Sequence, residues 1–183
     1  DLALLLKRIT QIKGDYKIWI RNLNPRFLIE MLPELKKVFR SGKIEYLSSA
    51  AQSGSNNILN LMNRHYEIND FIESILTIKN EYPPLKIRTQ LMFGFPGESN
   101  KDFFDTMRLL DRKIFDSVEI FGYSPRPNTA AIEIENKVTH ETMRQRHRRL
   151  LLKVLASTGT KNIQNHSIAN MLHLIGINKI QGS

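Results

Sequence analysis

Hydrophobic and polar positions along the chain follow two alternating spacings. Leu2 to Ile12 has the three- and four-residue spacing of a helix, and Gly14-Asp15 then turns the chain into Lys17-Ile18-Trp19-Ile20-Arg21, a short β-prone run. Asn24-Pro25 opens a helix from about Phe27 to Phe39, which Ser41-Gly42 ends. A second strand is predicted at Lys43–Ser48. It leads into a loop from Gln52 to Ser55, where Ser55 or Asn56 can cap a helix carrying Ile58, Leu59, Leu61 and Met62. Phe71, Ile72, Ile75, Leu76 and Ile78 mark a helix from about Asn69 to Tyr82, stopped by Pro83-Pro84.

The third strand, Lys86 to Phe93, alternates: Arg88, Gln90 and Met92 share one face, and Ile87, Thr89, Leu91 and Phe93 the other. Ser99-x-x-Asp102 has capping-box spacing and starts a helix through Phe103, Phe104, Met107, Leu110 and Ile114. A fourth strand is predicted at Ser117–Tyr123, then a polar connection over 128–138, then a helix capped by Thr139 and running to about Ala156. Strands alternating with helices imply a parallel sheet with helices outside. Residues 1–156 are expected to form this unit and 157–183 a tail, in which Ile168, Met171, Leu172 and Ile175 suit a short helix.

Composition narrows the picture. The 183 residues, 41% of them hydrophobic, are enough for one domain with a real core. No apolar run reaches the roughly 20 residues needed to cross a bilayer and no secretory signal is visible, so no membrane partner and a cytoplasmic location are expected. A net charge of +9 favours an anionic partner such as nucleic acid. The basic residues cluster: Arg144, Arg146, His147, Arg148, Arg149 and Lys153 fall on the last predicted helix, beside an apolar stripe of Met143, Leu150, Leu151 and Val154. Arg144, Arg148, Arg149 and Lys153 are the candidate RNA-binding residues; a solvated basic face is the plainer alternative. The five histidines are scattered and no metal site is expected.

The chemistry-bearing runs are Gly94-Phe95-Pro96-Gly97-Glu98 and Tyr123-Ser124-Pro125-Arg126-Pro127, each ending a predicted strand. Glycines let a ligand approach backbone, and helix N-termini offer free N–H groups, so such strand ends suit a nucleotide-type cofactor.

With Gln52-Ser53-Gly54-Ser55 and Met62-Asn63-Arg64-x-Tyr66, these runs resemble the radical S-adenosylmethionine methylthiotransferases, over roughly residues 2–155. The resemblance implies an α/β fold, a partial TIM-type barrel: about four parallel strands with outer helices, taken from a barrel of six such units. It implies a transferase that puts a methylthio group on tRNA, at an adenosine near the anticodon, because Gln52-Ser53 and Tyr123-Ser124-Pro125-Arg126-Pro127 look like the tRNA branch. Methylthiolation of a ribosomal protein, or a non-catalytic RNA-binding or scaffold half-barrel, are the alternatives.

By the same resemblance, S-adenosylmethionine would lie at the strand ends. Gln52 and Ser53 would sit near the ribose, Arg88 near the methionine carboxylate, and Phe93-Gly94-Phe95 with Tyr123-Ser124-Pro125 around the adenine. Arg88 can equally form an internal salt bridge, and Glu98 can complement the dipole of the helix after it. The family's four-iron four-sulfur cluster needs thiolates and the chain has no cysteine, so those ligands are expected outside it, in a longer parent protein. The piece alone is then expected to be inactive and to self-associate through an open barrel edge at Lys17–Arg21. Further departures are Ser48-Ser49-Ala50-Ala51 before Gln52, Gln90 where Asp is usual, and Asn128 where Gly is usual.

Overall fold

Four strands, β1 (Ile18–Ile20), β2 (Ile44–Ser48), β3 (Lys86–Phe93) and β4 (Ser117–Gly122), lie parallel in one sheet in the order β1-β2-β3-β4. The structure is a computed structural model that describes residues 2–158. Seven α-helices are described: α1 (Leu2–Gln11), α2 (Pro25–Glu30), α3 (Leu32–Phe39), α4 (Asn56–Leu61), α5 (Ile68–Glu81), α6 (Asn100–Asp111) and α7 (His140–Thr158). A 3-10 turn, Ala130–Ile132, interrupts the connection before α7, which the sequence pattern leaves as an irregular segment. The helix expected near Ile168–Ile175 lies outside the described residues.

The single helix expected from Phe27 to Phe39 is two. Pro33 has no N–H for the Ile29 carbonyl and its ring crowds that turn, so the helix breaks at Met31, which caps α2 at one end and begins α3 at the other. The Met31 amide donates to the Ile29 and Phe27 carbonyls instead. Asn24 caps α2 through its side chain, which accepts the Arg26 amide.

One core fills the space between the sheet and the helices. Leu47, Ile87, Thr89, Leu91 and Phe93 of β2 and β3 face Leu28, Leu35, Phe71, Ile75, Ile78, Phe103 and Leu110, all buried. The β3 alternation is as expected, with Arg88, Gln90 and Met92 only half-buried on the opposite face. That face looks into what would be the barrel lumen. β1 has β2 as its sheet neighbour on one side only, and Trp19 stands 60% exposed beside Tyr46.

The loop after β2 cannot continue a regular ladder, and buried side chains take up its polar groups. Thr89 Oγ1 accepts the Ala51 amide and donates to the Ser49 carbonyl, and the Tyr66 hydroxyl donates to the Ala51 carbonyl. On α6, Thr106 Oγ1 accepts the Gly54 amide at 2.9 Å and lies 3.1 Å from Ser53 Oγ. Backbone meets backbone here: a Cβ on Gly54 would lie 2.5 Å from the Asp105 carbonyl oxygen.

Asp102 is the second anchor. Its carboxylate accepts the Ser55 hydroxyl at 2.5 Å, the Ser99 amide at 2.9 Å and the Ser99 hydroxyl at 2.6 Å. The capping box at Ser99 forms as the spacing predicts. Ser55 does not cap α4 with its side chain, because its hydroxyl is committed to Asp102, and the Asn56 side chain caps the following helix by accepting the Ile68 amide. Burial alone would raise the Asp102 carboxyl, but the hydrogen bonds from Ser55, Ser99 and Asn57 outweigh it and hold the group below the usual carboxylate range.

A depressed carboxyl contributes stability that is full above its unfolded value, about 3.9, and lost as pH falls through the lower folded value. Asp102→Asn is therefore expected to be less stable than the parent at pH 7, with the gap closing below about pH 4. Urea unfolding at both pH values checks it; an unchanged gap would show that the charge contributes nothing.

Candidate cofactor site

The lumen face of β3 and β4 is polar at the bottom and apolar at the top. Arg88 pairs with Glu119, and Gln90 Nε2 donates to the same Glu119 oxygen at 2.9 Å. The Arg88 side chain is only 11% exposed, so its expected partner, a ligand carboxylate, would have to share it with Glu119. Of the two readings of Arg88, the internal ion pair is present. Above this cluster the register pairs Met92 with Phe121, and the strand ends open into a cavity of about 580 Å³.

Gln52, Met92, Phe95, Phe121, Tyr123, Ser124 and Arg126 line this cavity, with Met62, Asn63 and Arg64 from the end of α4. Phe95 and Tyr123 meet edge to face at 5.1 Å, which gives the cavity an aromatic wall of one ring face and one ring edge. The Tyr123 hydroxyl is buried and has no partner among the described residues.

Gln52 is held in the left-handed region, φ 63°, although it is not glycine. Its amide donates to the Gln90 carbonyl at 2.8 Å and its carbonyl accepts the Met92 amide at 2.7 Å, so a detour in the loop rejoins the ladder at this residue. Strain of this kind persists where the surroundings over-determine it, and it concentrates at functional sites.

The other expected cofactor residues are placed elsewhere. Ser53 is fully buried and turned to Thr106 on α6. The Phe93 ring faces the helices, stacked on His147 at 5.4 Å, because it shares the core face of β3 with Leu91. Burial lowers the His147 imidazole below its ordinary value. Gly94 and Pro125 line a second cavity of about 600 Å³, behind the first, with Met143 and His140 of α7 and a shared wall at Tyr123. The structure thus brings Gln52, Phe95, Tyr123 and Ser124 to one cavity, commits the Ser53, Arg88 and Phe93 side chains to Thr106, Glu119 and His147, and puts Gly94 and Pro125 on a neighbouring cavity that shares Tyr123.

Glu98 has a role that helix-end electrostatics does not describe. Its carboxylate accepts the Gly94 amide at 2.7 Å and pairs with Arg146 Nη1 at 2.6 Å, both side chains being buried. Burial pushes the Glu98 carboxyl up, against the lowering effect of the Gly94 amide and the guanidinium.

The basic cluster on α7 is divided accordingly. Arg146 points inward, and Arg149 lies over the Phe104 ring at 4.8 Å, with Lys153 paired to Asp111 on α6. Arg144, Arg148 and Arg149 are all exposed, with Arg144 paired to Glu141.

Replacing Gln52 by glycine removes the cost of the left-handed backbone, about 1 kcal/mol, and offsets part of the gain by chain entropy. Gln52→Gly is expected to be stabilised by roughly 0.5 kcal/mol while stripping a polar group from the cavity wall. Denaturant unfolding measures this, and a destabilised variant would mean that the side chain, not the ladder, holds the loop.

No protein-family model matches the chain. Curated relatives do. A probable threonylcarbamoyladenosine tRNA methylthiotransferase of Pyrococcus horikoshii is 35% identical over 152 residues, 81% of this chain and 36% of the relative. A threonylcarbamoyladenosine tRNA methylthiotransferase of Thermotoga maritima is 34% identical over 148 residues, 80% of this chain and 33% of its own. A tRNA-2-methylthio-N(6)-dimethylallyladenosine synthase of Acetivibrio thermocellus is 35% identical over 155 residues, covering 82% and 31%. The chain thus spans about a third of the length of the relatives it matches.

Among solved structures, coproporphyrinogen III oxidase from Escherichia coli, described as a radical SAM enzyme, superposes with a TM-score of 0.63 at 22% identity, over 85% of this chain and 36% of that one. That likeness shows the fold, a partial TIM-type barrel. With the sequence relatives, it leads to one conclusion: over about 80% of its length the chain is a relative of one segment of the tRNA methylthiotransferases, and it has the fold of part of an α/β barrel.

Proposed function

We propose that the chain supplies part of the S-adenosylmethionine site, and an RNA-facing surface, of an enzyme that methylthiolates tRNA. The observation that carries this reading is the cavity at the strand ends, with Phe95 and Tyr123 as its aromatic wall and Gln52 strained at its rim. Ligands of parallel α/β barrels lie at the C-terminal ends of the strands. The residues present fit the adenosyl half of the cofactor: aromatic rings and Met92 for a flat purine, and Gln52 and Ser124 as polar groups for the ribose. Met92 and Phe121 give this end of the lumen an apolar lining.

The cluster is another matter. The chain has no cysteine, and no group of three or more His, Cys, Asp or Glu suited to a metal occurs among the described residues. The thiolate ligands of a four-iron four-sulfur cluster would come from outside this chain. Bound to such a cluster, S-adenosylmethionine supplies a radical that activates a C–H bond, while the protein's part is placement and shielding. No helix of the described residues is long and apolar enough to cross a membrane.

S-adenosylhomocysteine titrated into the 183-residue chain is expected to bind saturably. Phe95→Ala should weaken it about tenfold, the worth of one aromatic ring stacked on a base. Equal affinity in the variant would remove the purine from this cavity.

The RNA surface is proposed to be the exposed side of α7. Arg144, paired with the exposed Glu141 on its own helix, and Arg148 face solvent, whereas Arg149 and Lys153 lie against α6. Replacing Arg144 and Arg148 with alanine is expected to flatten the plot of log tRNA affinity against log salt by about 0.7 to 0.9 for each phosphate that is no longer neutralised. Replacing Arg149 and Lys153 should chiefly lower the melting temperature. The opposite assignment of the two effects would put the RNA on the α6 side.

A further inference from the structure

Arg146 stands in a run of basic residues that reads as a surface, yet its side chain is 6% exposed. Its Nη1 donates to Glu98 Oε2 at 2.6 Å, Nη1 and Nη2 each donate to the Glu98 carbonyl at 3.2 Å, and Nη2 donates to Asn100 Oδ1 at 3.1 Å. The guanidinium lies 5.4 Å from the Phe103 ring centre. The same Glu98 oxygen accepts the Gly94 amide, so one carboxylate oxygen joins α7 to the first residue of the turn after β3.

That turn needs holding. Gly94 and Gly97 both have positive φ, 76° and 83°, and the Phe95 between them lines the 580 Å³ cavity. A second side chain of α7 lands on the same turn: a Cβ on Gly94 would sit 1.6 Å from Met143 Sδ. Met143 and Arg146 are one helical turn apart, so α7 grips the turn at Gly94 by packing and at Glu98 by charge.

The pair is also imperfect. Glu98 Oε1 and Arg146 Nε are buried without hydrogen-bond partners among the described residues. Desolvating two charges and leaving two polar atoms unpaired is a poor way to gain stability, and apolar residues of similar size often do as well or better. What an apolar pair cannot do is accept the Gly94 amide.

We propose that Arg146 is a positioning residue for the adenosyl site: through Glu98 it fixes the Gly94–Glu98 turn, and with it Phe95, in the conformation that shapes the cavity. The proposal rests on the reading of that cavity as the adenosyl site, and it makes α7, forty-odd residues further along the chain, part of the cofactor-binding machinery.

The test uses the full 183-residue chain and the double variant Glu98→Leu/Arg146→Met, which removes both charges together. It is expected to stay folded, with a denaturant midpoint at most modestly below the parent's, because neither charge is stranded and the Gly94 amide alone loses its acceptor. The Gly94 amide should nevertheless exchange with deuterium at least about tenfold faster, as follows from losing a hydrogen bond to a charged group, and S-adenosylhomocysteine should bind about tenfold more weakly. Parent-like exchange and affinity in a stable double variant would overturn the proposal.

Arg146→Lys covers the case in which the double variant does not fold. It keeps the charge but loses the paired bonds to the Glu98 carbonyl and Asn100, and faster exchange across Gly94–Glu98 is again expected, with parent-like exchange overturning the proposal. If the parent chain itself fails to bind S-adenosylhomocysteine, the cavity reading falls, and the exchange data still decide whether Arg146 sets the turn.

Discussion

Where β2 and β3 stop, the next amides lose their ladder partners while still lying too deep for water, and every such group must find a partner or cost the fold on the order of 1–3 kcal/mol. Three side chains on α6 or just before it meet this constraint. Thr106 accepts the Gly54 amide, Asp102 accepts the Ser99 amide and the Ser55 hydroxyl, and Glu98 accepts the Gly94 amide. The loops after two different strands are thereby tied to one helix. Their relative position, and so the shape of the cavity between Gln52 and Phe95, is set by that helix together with the hold of α7 on the Gly94–Glu98 turn, rather than by either loop.

This arrangement explains why strain is tolerated where it is. A left-handed Gln52 and a turn with two positive-φ glycines would sample many conformations if left to themselves. Hydrogen bonds to rigid elements, with Tyr66 and Thr89 closing on Ala51, hold them in one. Stability is given up locally so that the backbone can present a fixed rim to a ligand.

Much of the scaffold was legible in the chain. The β3 alternation, the Ser99–Asp102 capping box and the strand-helix order are local signals, and they hold in the structure. The single helix expected over Phe27–Phe39 was wrong, and the signal for its break, a proline inside a helical pattern, was there in Pro33. The site was less legible, for a physical reason. Glu98 finds its cation at Arg146, 48 residues away, and within a run of six basic residues nothing local distinguishes the one that turns inward. Parity in β3 already put Phe93 on the face opposite Met92, and that geometric rule placed it better than motif resemblance did. Gln52's left-handed backbone leaves no mark in the sequence, because nothing but its setting imposes it.

What occupies the cavity at the strand ends decides between these readings. A crystal structure of the chain soaked with S-adenosylhomocysteine is the most direct measurement. It is predicted to show the purine against Phe95 and Tyr123 with the ribose toward Gln52, and the Glu98–Arg146 pair unbroken. A purine lodged instead beside Met143 and His140 in the rear cavity, or on the outer face of α6, would contradict it.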